Sequence, residues 1–125
     1  QLIDSAWEST ILTRRTKALI FAVVARGLGC QRSERDARRL LADEGLSEEK
    51  SEECLAHLGS SDLSAIENAI APFARETIRY DTVQIQRRAR ALREKMDLDE
   101  FLEVVGLAAL ANLVCRLGVV IDDGP

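Results

Sequence analysis

Residues 18–25, Ala-Leu-Ile-Phe-Ala-Val-Val-Ala, carry no polar side chain in eight consecutive positions. A helix wraps successive residues right round its axis, so such a segment cannot keep one side in water. It has to be enclosed by other elements. It is also far shorter than the roughly 20 apolar residues that a bilayer span takes. Arg14, Arg15 and Lys17 precede the block, and Gly27 and Gly29 follow it. Thr13 supplies an N-cap and the glycines a stop. The block reads as a helix at the centre of a core, and the rest of the chain must surround it.

The remainder consists of capped helical segments. Leu2, Ile3, Ala6 and Trp7 share a face, which makes residues 1–9 a short leading helix. Beyond the glycine break, Ser33 and Asp36 have the spacing of a variant capping box. They would open a helix through Arg38, Leu40 and Leu41 that ends at Gly45. Ser47 caps a shorter helix with Glu48 and Glu49 in its first turn. That helix carries Cys54, Leu55 and Leu58 inward and stops at Gly59. Ser64 and Glu67 form a second capping box, for a helix through Ile66, Ile70, Phe73 and Ala74. Pro72 predicts a kink in it, or a later start. Asp81 or Thr82 caps a helix through Ile85, Ala89 and Leu92. Asp97 and Glu100 open a last long helix to about Leu117, with Gly118 as its stop and residues 119–121 short enough to be extended. Gly106, Ala108, Ala109 and Ala111 make that helix small-sided. Neither a strand pattern nor an internal repeat occurs. The expectation is one all-α domain of six or seven helices over residues 1–125.

Composition narrows the function classes. Apolar residues make up 46% and charged residues 30%, a balance that builds a core rather than a disordered chain. The net charge of −4 speaks against nucleic acid as a partner. Two arginine clusters occur: Arg32, Arg35, Arg38 and Arg39, then Arg87, Arg88, Arg90 and Arg93. They are interleaved with Glu34, Asp36, Asp43, Glu44 and Glu94 and lack interposed aromatics, so they read as solvated faces or inter-subunit ion pairs. No membrane partner is expected. The chain opens on Gln1 rather than Met, which points to an N-terminal segment removed or omitted. Cys30, Cys54 and Cys115 are an odd number with no short-range pairing, so a disulfide framework is not expected and a reducing cytoplasm is the default. With His57 as the single histidine and no Cys-x-x-Cys, no zinc site is expected, nor any other metal or cofactor.

The order of these pieces resembles the AhpD-like (carboxymuconolactone decarboxylase) family over residues 13–122. A basic lead-in (Arg14, Arg15, Lys17) is followed by the apolar block, a glycine break and a cysteine at a helix start. The phrase Glu44-Gly45-Leu46-Ser47 comes next. Leu63-Ser64-Ala65-Ile66-Glu67 resembles the start of the family's second characteristic helix. Asp99-Glu100-Phe101-Leu102-Glu103-Val104-Val105, with Asn112, Arg116 and Gly118 behind it, resembles the last helix. The resemblance implies an alkylhydroperoxidase-like helical fold and a homo-oligomer, trimer or hexamer, with a pocket near subunit contacts. It also implies a thiol peroxidase site, in which a Cys-x-x-Cys-x-x-x-His segment at a helix start works with a glutamate on the preceding helix.

This chain departs from that site at all but one position. Cys30 matches the first cysteine. Ser33 stands in place of the second, Ala37 in place of the histidine and Ala18 in place of the glutamate. A serine cannot close a disulfide and an alanine cannot carry a proton, so the family's dithiol relay is lost. Cys30 is then either a lone reactive thiol, favoured as thiolate by the helix end and by Arg32 and Arg35, or an inherited, partly buried small residue. Ser33 is a candidate nucleophile or, more simply, a cap. His57 reads as a core-edge or surface residue, and Cys54 and Cys115 as core. Asn112 and Arg116, four apart on one helix face, suit a structural hydrogen bond. Three functions stay open: a small apolar ligand held near Cys30, a one-cysteine peroxidase resolved by an external thiol, or a structural or interaction domain.

Overall fold

A computed structural model describes residues 11–79 and 81–122, with side chains as far as Leu117. Six α-helices follow in order: α1 (Arg14–Leu28), α2 (Gln31–Asp43), α3 (Glu48–His57), α4 (Ala65–Arg79), α5 (Thr82–Arg93) and α6 (Leu98–Asp122). There is no strand among the described residues, and the fold is all-α. The leading helix expected over residues 1–9 lies outside them. No helix among the described residues is long and apolar enough to cross a membrane.

Most helix starts are set by the side chains that the sequence singles out. Thr13, Ser47 and Asp81 accept the backbone N–H groups of Thr16, Lys50 and Gln84. Ser64 accepts from the Glu67 amide at 3.1 Å, and the Glu67 carboxylate accepts from the Ser64 amide at 2.9 Å. Asp97 and Glu100 repeat that reciprocal box at 2.8 and 3.1 Å. Each side chain satisfies an amide that the helix itself leaves without a partner.

Three boundaries differ from expectation. α2 begins at Gln31 with Cys30 as its N-cap, so Ser33 and Asp36 do not form a capping box. α4 begins at Ala65, directly after its capping box, and contains Pro72, so of a kink or a later start the later start does not occur. α6 runs through Gly118 to Asp122, so residues 119–121 are helical rather than extended. A glycine inside a helix costs only ~1 kcal/mol relative to alanine, and it ends one only where the backbone turns left-handed. At the end of α3 the left-handed residue is Leu58, at φ 55°, with Gly59 following it.

The apolar block occupies the middle of the molecule. Ala18, Leu19, Ile20, Ala22, Val24 and Ala25 of α1 have no exposed surface, and α2, α4 and α6 close round them. Arg15 bonds Glu67 while Gly27 abuts Ile78, so α1 and α4 run in the same direction. A Cβ on Gly27 would collide with the Ile78 Cδ1 atom, which is why α4 can approach α1 this closely. Lys17 lies near Glu103 and Cys30 meets Cys115, so α6 shares that direction as well. Helices α2 and α3 return the chain from the end of α1 to the start of α4, and α5 returns it from α4 to α6.

Polar ties lock the periphery. Asn112 donates to Thr77 at 3.0 Å, and Arg116 donates to the Ile78 carbonyl at 3.4 Å, fastening α6 to the end of α4. Arg38 binds Glu34, Glu48 and Glu52 at 3.0, 2.8 and 2.5 Å, and Arg26 reaches Glu52 at 2.8 Å. The first arginine cluster thus partly serves to join α1, α2 and α3. In the second, Arg87, Arg88 and Arg90 are exposed, and Arg93 lies 5.5 Å over the Phe101 ring.

Candidate functional site

Cys30 belongs to two helices at once. Gly29 ends α1 at φ 72°, a left-handed conformation that suits glycine. The Cys30 amide then donates to the Ala25 carbonyl at 2.8 Å, closing α1. Its own carbonyl accepts from the Glu34 amide at 3.0 Å, opening α2. Both backbone groups are committed, so the position of the side chain is tightly determined. The Cys30 side chain makes no capping bond to the amides of this 13-residue helix.

The Cys30 residue is 8% exposed, and its thiol donates to the Ser33 hydroxyl at 3.3 Å. Three residues along a helix from its cap, Ser33 stands on the same face. Ala37 and Leu41 continue that face into the core, at 3% and 0% exposure. Ala18 is likewise fully enclosed. The positions where the resemblance implies a histidine and a glutamate are therefore filled by methyl groups inside the packed core.

A second thiol completes the cluster. Cys115, on α6, is fully buried, with Cys30 and Ser33 among its neighbours. Burial, and then the neighbouring Cys30, push its pKa up to about 11, against the opposing bond from Ser33. The α1–α2 junction and α6 thus bring two buried thiols into one neighbourhood. Cys115 is the residue that sequence reasoning missed. Its helical phase with Val104, Leu107, Ala108 and Ala111 marks a core face, but 84 residues of intervening chain separate it from Cys30.

Other candidates lie elsewhere. Cys54 is buried near Arg15 and Asp62, toward the far end of α1, and burial raises its pKa despite a bond with Ser60. His57 is exposed at the end of α3. Lys17, taken from the sequence only as part of a basic lead-in, is completely enclosed; burial lowers its pKa, with Glu103 acting in the opposite direction. Among the described residues no group of His, Cys, Asp and Glu is arranged to hold a metal ion.

The larger cavity, about 420 Å³, lies between the starts of α1 and α4, lined by Leu12, Thr13, Arg15, Thr16, Ile66 and Glu67 among others. Its main polar groups already serve one another, since Arg15 grips both oxygens of Glu67, at 2.6 and 2.9 Å. A smaller one of about 230 Å³ is lined by Gln31, Glu34, Arg35 and Arg38 on the outer side of α2. Cys30 lines neither. No protein-family model, no curated protein and no solved structure matches this chain.

Proposed function

We propose that the chain is a divergent AhpD-like domain that lacks the family's Cys-x-x-Cys relay and works as a thiol-dependent peroxidase through Cys30. The observation that carries this reading is the placement of the Cys30 thiol at the N-cap of α2, hydrogen-bonded to Ser33 at 3.3 Å. The thiolate is the form of a cysteine that attacks a peroxide oxygen. The products are a sulfenic acid on Cys30 and an alcohol or water. An apolar ligand beside Cys30 has less in its favour, because the larger cavity lies near the other end of α1 and the smaller one is lined by charged and polar side chains. Three free thiols suit a reducing cytoplasm. A homo-oligomer belongs to the same reading, with α6 as its contact surface.

Peroxide consumption by the reduced chain tests this. The expected outcome is thiol-dependent turnover with hydrogen peroxide or an organic hydroperoxide, and a loss of at least a hundredfold in Cys30→Ser. Turnover that survives the substitution unchanged would sink the proposal.

A further inference from the structure

The inward face of α6 is filled by the core, yet its outward face is not polar. Leu98, Leu102, Leu113 and Leu117 are 51–56% exposed, and Gly106 and Ala109 lie exposed between them. These six positions follow one another at spacings of 4, 4, 3, 4 and 4 residues. Each step is about one helical turn, so they form a single stripe along ~29 Å of helix. The stripe is a palindrome in spacing and in size: two leucines, two small residues, two leucines. A surface that reads the same in both directions matches itself when a second copy is turned end over end.

We propose that two copies of this chain pair through α6, antiparallel, about a two-fold axis at the level between Leu107 and Ala108. Leu98 of one copy then meets Leu117 of the other, Leu102 meets Leu113, and Gly106 meets Ala109. This deepens the homo-oligomer reading and rests on it, but not on the chemistry of Cys30. Side-chain size sets the register. The small residues fall at the crossing, where two helix backbones come closest. Among the described residues nothing packed against α6 stands within 4 Å of a Cβ added at Gly106, so packing inside the subunit does not require this glycine. A glycine within a helix weakens it, and a close approach by a second helix gives it a use. Charge sets the direction. Antiparallel pairing puts the exposed Asp99 of one copy level with the exposed Arg116 of the other, and the positive end of each helix dipole beside the negative end of its neighbour. Parallel pairing would bring the two acidic first turns together, Asp99 beside Asp99 and Glu100 beside Glu100.

The symmetry of this contact also limits the size of the assembly. A two-fold interface occurs in dimers and in hexamers built from dimers, but not in an isolated three-fold ring. Of the trimer and the hexamer that the resemblance implies, the hexamer accommodates the α6 pair and the trimer does not.

The test uses the full chain, first by sedimentation equilibrium and then with thiols placed on the stripe, the chain's own three cysteines being buried. The wild type should contain an even number of subunits. Under mild oxidation, the double variant Leu102→Cys, Leu113→Cys should form a disulfide from position 102 of one copy to position 113 of the other, identified by peptide mapping. Leu102→Cys alone and Leu113→Cys alone should cross-link at least tenfold less. In the antiparallel register like positions of the two copies lie ~16 Å apart along the axis, beyond the ~7 Å between Cα atoms that a disulfide spans. Gly106→Leu should weaken association at least tenfold with helicity retained. A wild-type monomer would overturn both this pairing and the homo-oligomer reading. An isolated trimer, or an oligomer of the double variant without the 102–113 link, would overturn the pairing alone. The wild-type mass needs no substitution, so it decides even if a variant fails to fold.

Discussion

Burial holds the Cys115 thiol protonated, its pKa pushed from the ordinary 9.0 to about 11. Below pH 9 folded and unfolded chains both carry the proton, and the packed thiol contributes its full share of stability. Between pH 9 and 11 the unfolded chain gives up the proton while the folded chain keeps it. Stability therefore falls as pH rises through that window, by on the order of 3 kcal/mol for one such group. Urea midpoints at pH 8 and pH 10.5 should show a steeper loss for wild type than for Cys115→Ala. Equal losses would mean that Cys115 is wetter than its full burial implies. The place of Ser33 in the sequence suggested a cap, yet its hydroxyl accepts from the Cys30 thiol instead.

Among the helices, one carboxylate ties the start of α1 to the start of α4. Glu67 is 5% exposed, closes its capping box with Ser64 and takes both bonds from Arg15. Burial alone would raise its pKa, but Arg15 and the Ser64 amide outweigh it and hold the carboxyl below the usual range. A depressed carboxylate contributes stability that is present above its unfolded pKa and lost as pH falls through the folded one. Glu67→Gln keeps the shape but removes the charge, and it should cost about 1–2 kcal/mol at pH 7. That difference should shrink in acid, as the wild-type carboxyl protonates. Thermal melts of the two chains at pH 7 and pH 3 measure it, and a gap that stays constant would contradict the assigned role.

At the scale of the molecule, α6 is apolar on two opposite faces. Val104, Leu107, Ala108, Ala111 and Cys115 are covered by the rest of the chain. Leu98, Leu102, Val105, Leu113 and Leu117 form a second stripe and remain 38–56% exposed. Ala109 lies on that stripe, and nothing stands within 4 Å of a Cβ added at Gly106. A contiguous apolar strip of this length is costly to leave in water and suits the same face of a second copy. Sedimentation or light scattering should therefore find an oligomer, and Leu102→Glu with Leu113→Glu should shift it toward monomer with helicity retained. A wild-type monomer at high concentration would rule out self-association through α6.

Much of the architecture was legible before any coordinates. Thr13, Ser47, Ser64, Asp81 and Asp97 announce helix starts because capping is a local exchange between a side chain and amides two or three residues away. The apolar block announces a central helix because no other placement hides every side of it. Boundaries set by the neighbouring chain were less legible: α2 starts at Gln31 because the Cys30 amide is already spent on closing α1. The candidate site divides in the same way. That Cys30 falls at a helix start is a property of residues 27 to 34. That Cys115 comes near it depends on how α6 lies along α1, and on Gly27 and Asn112 allowing and fastening the approach of α4. The sequence by itself determined the helices and the place of the first thiol, since both depend on neighbours along the chain. Only the tertiary structure decided that a second thiol stands beside it, because contact between distant residues is settled by how helix faces pack.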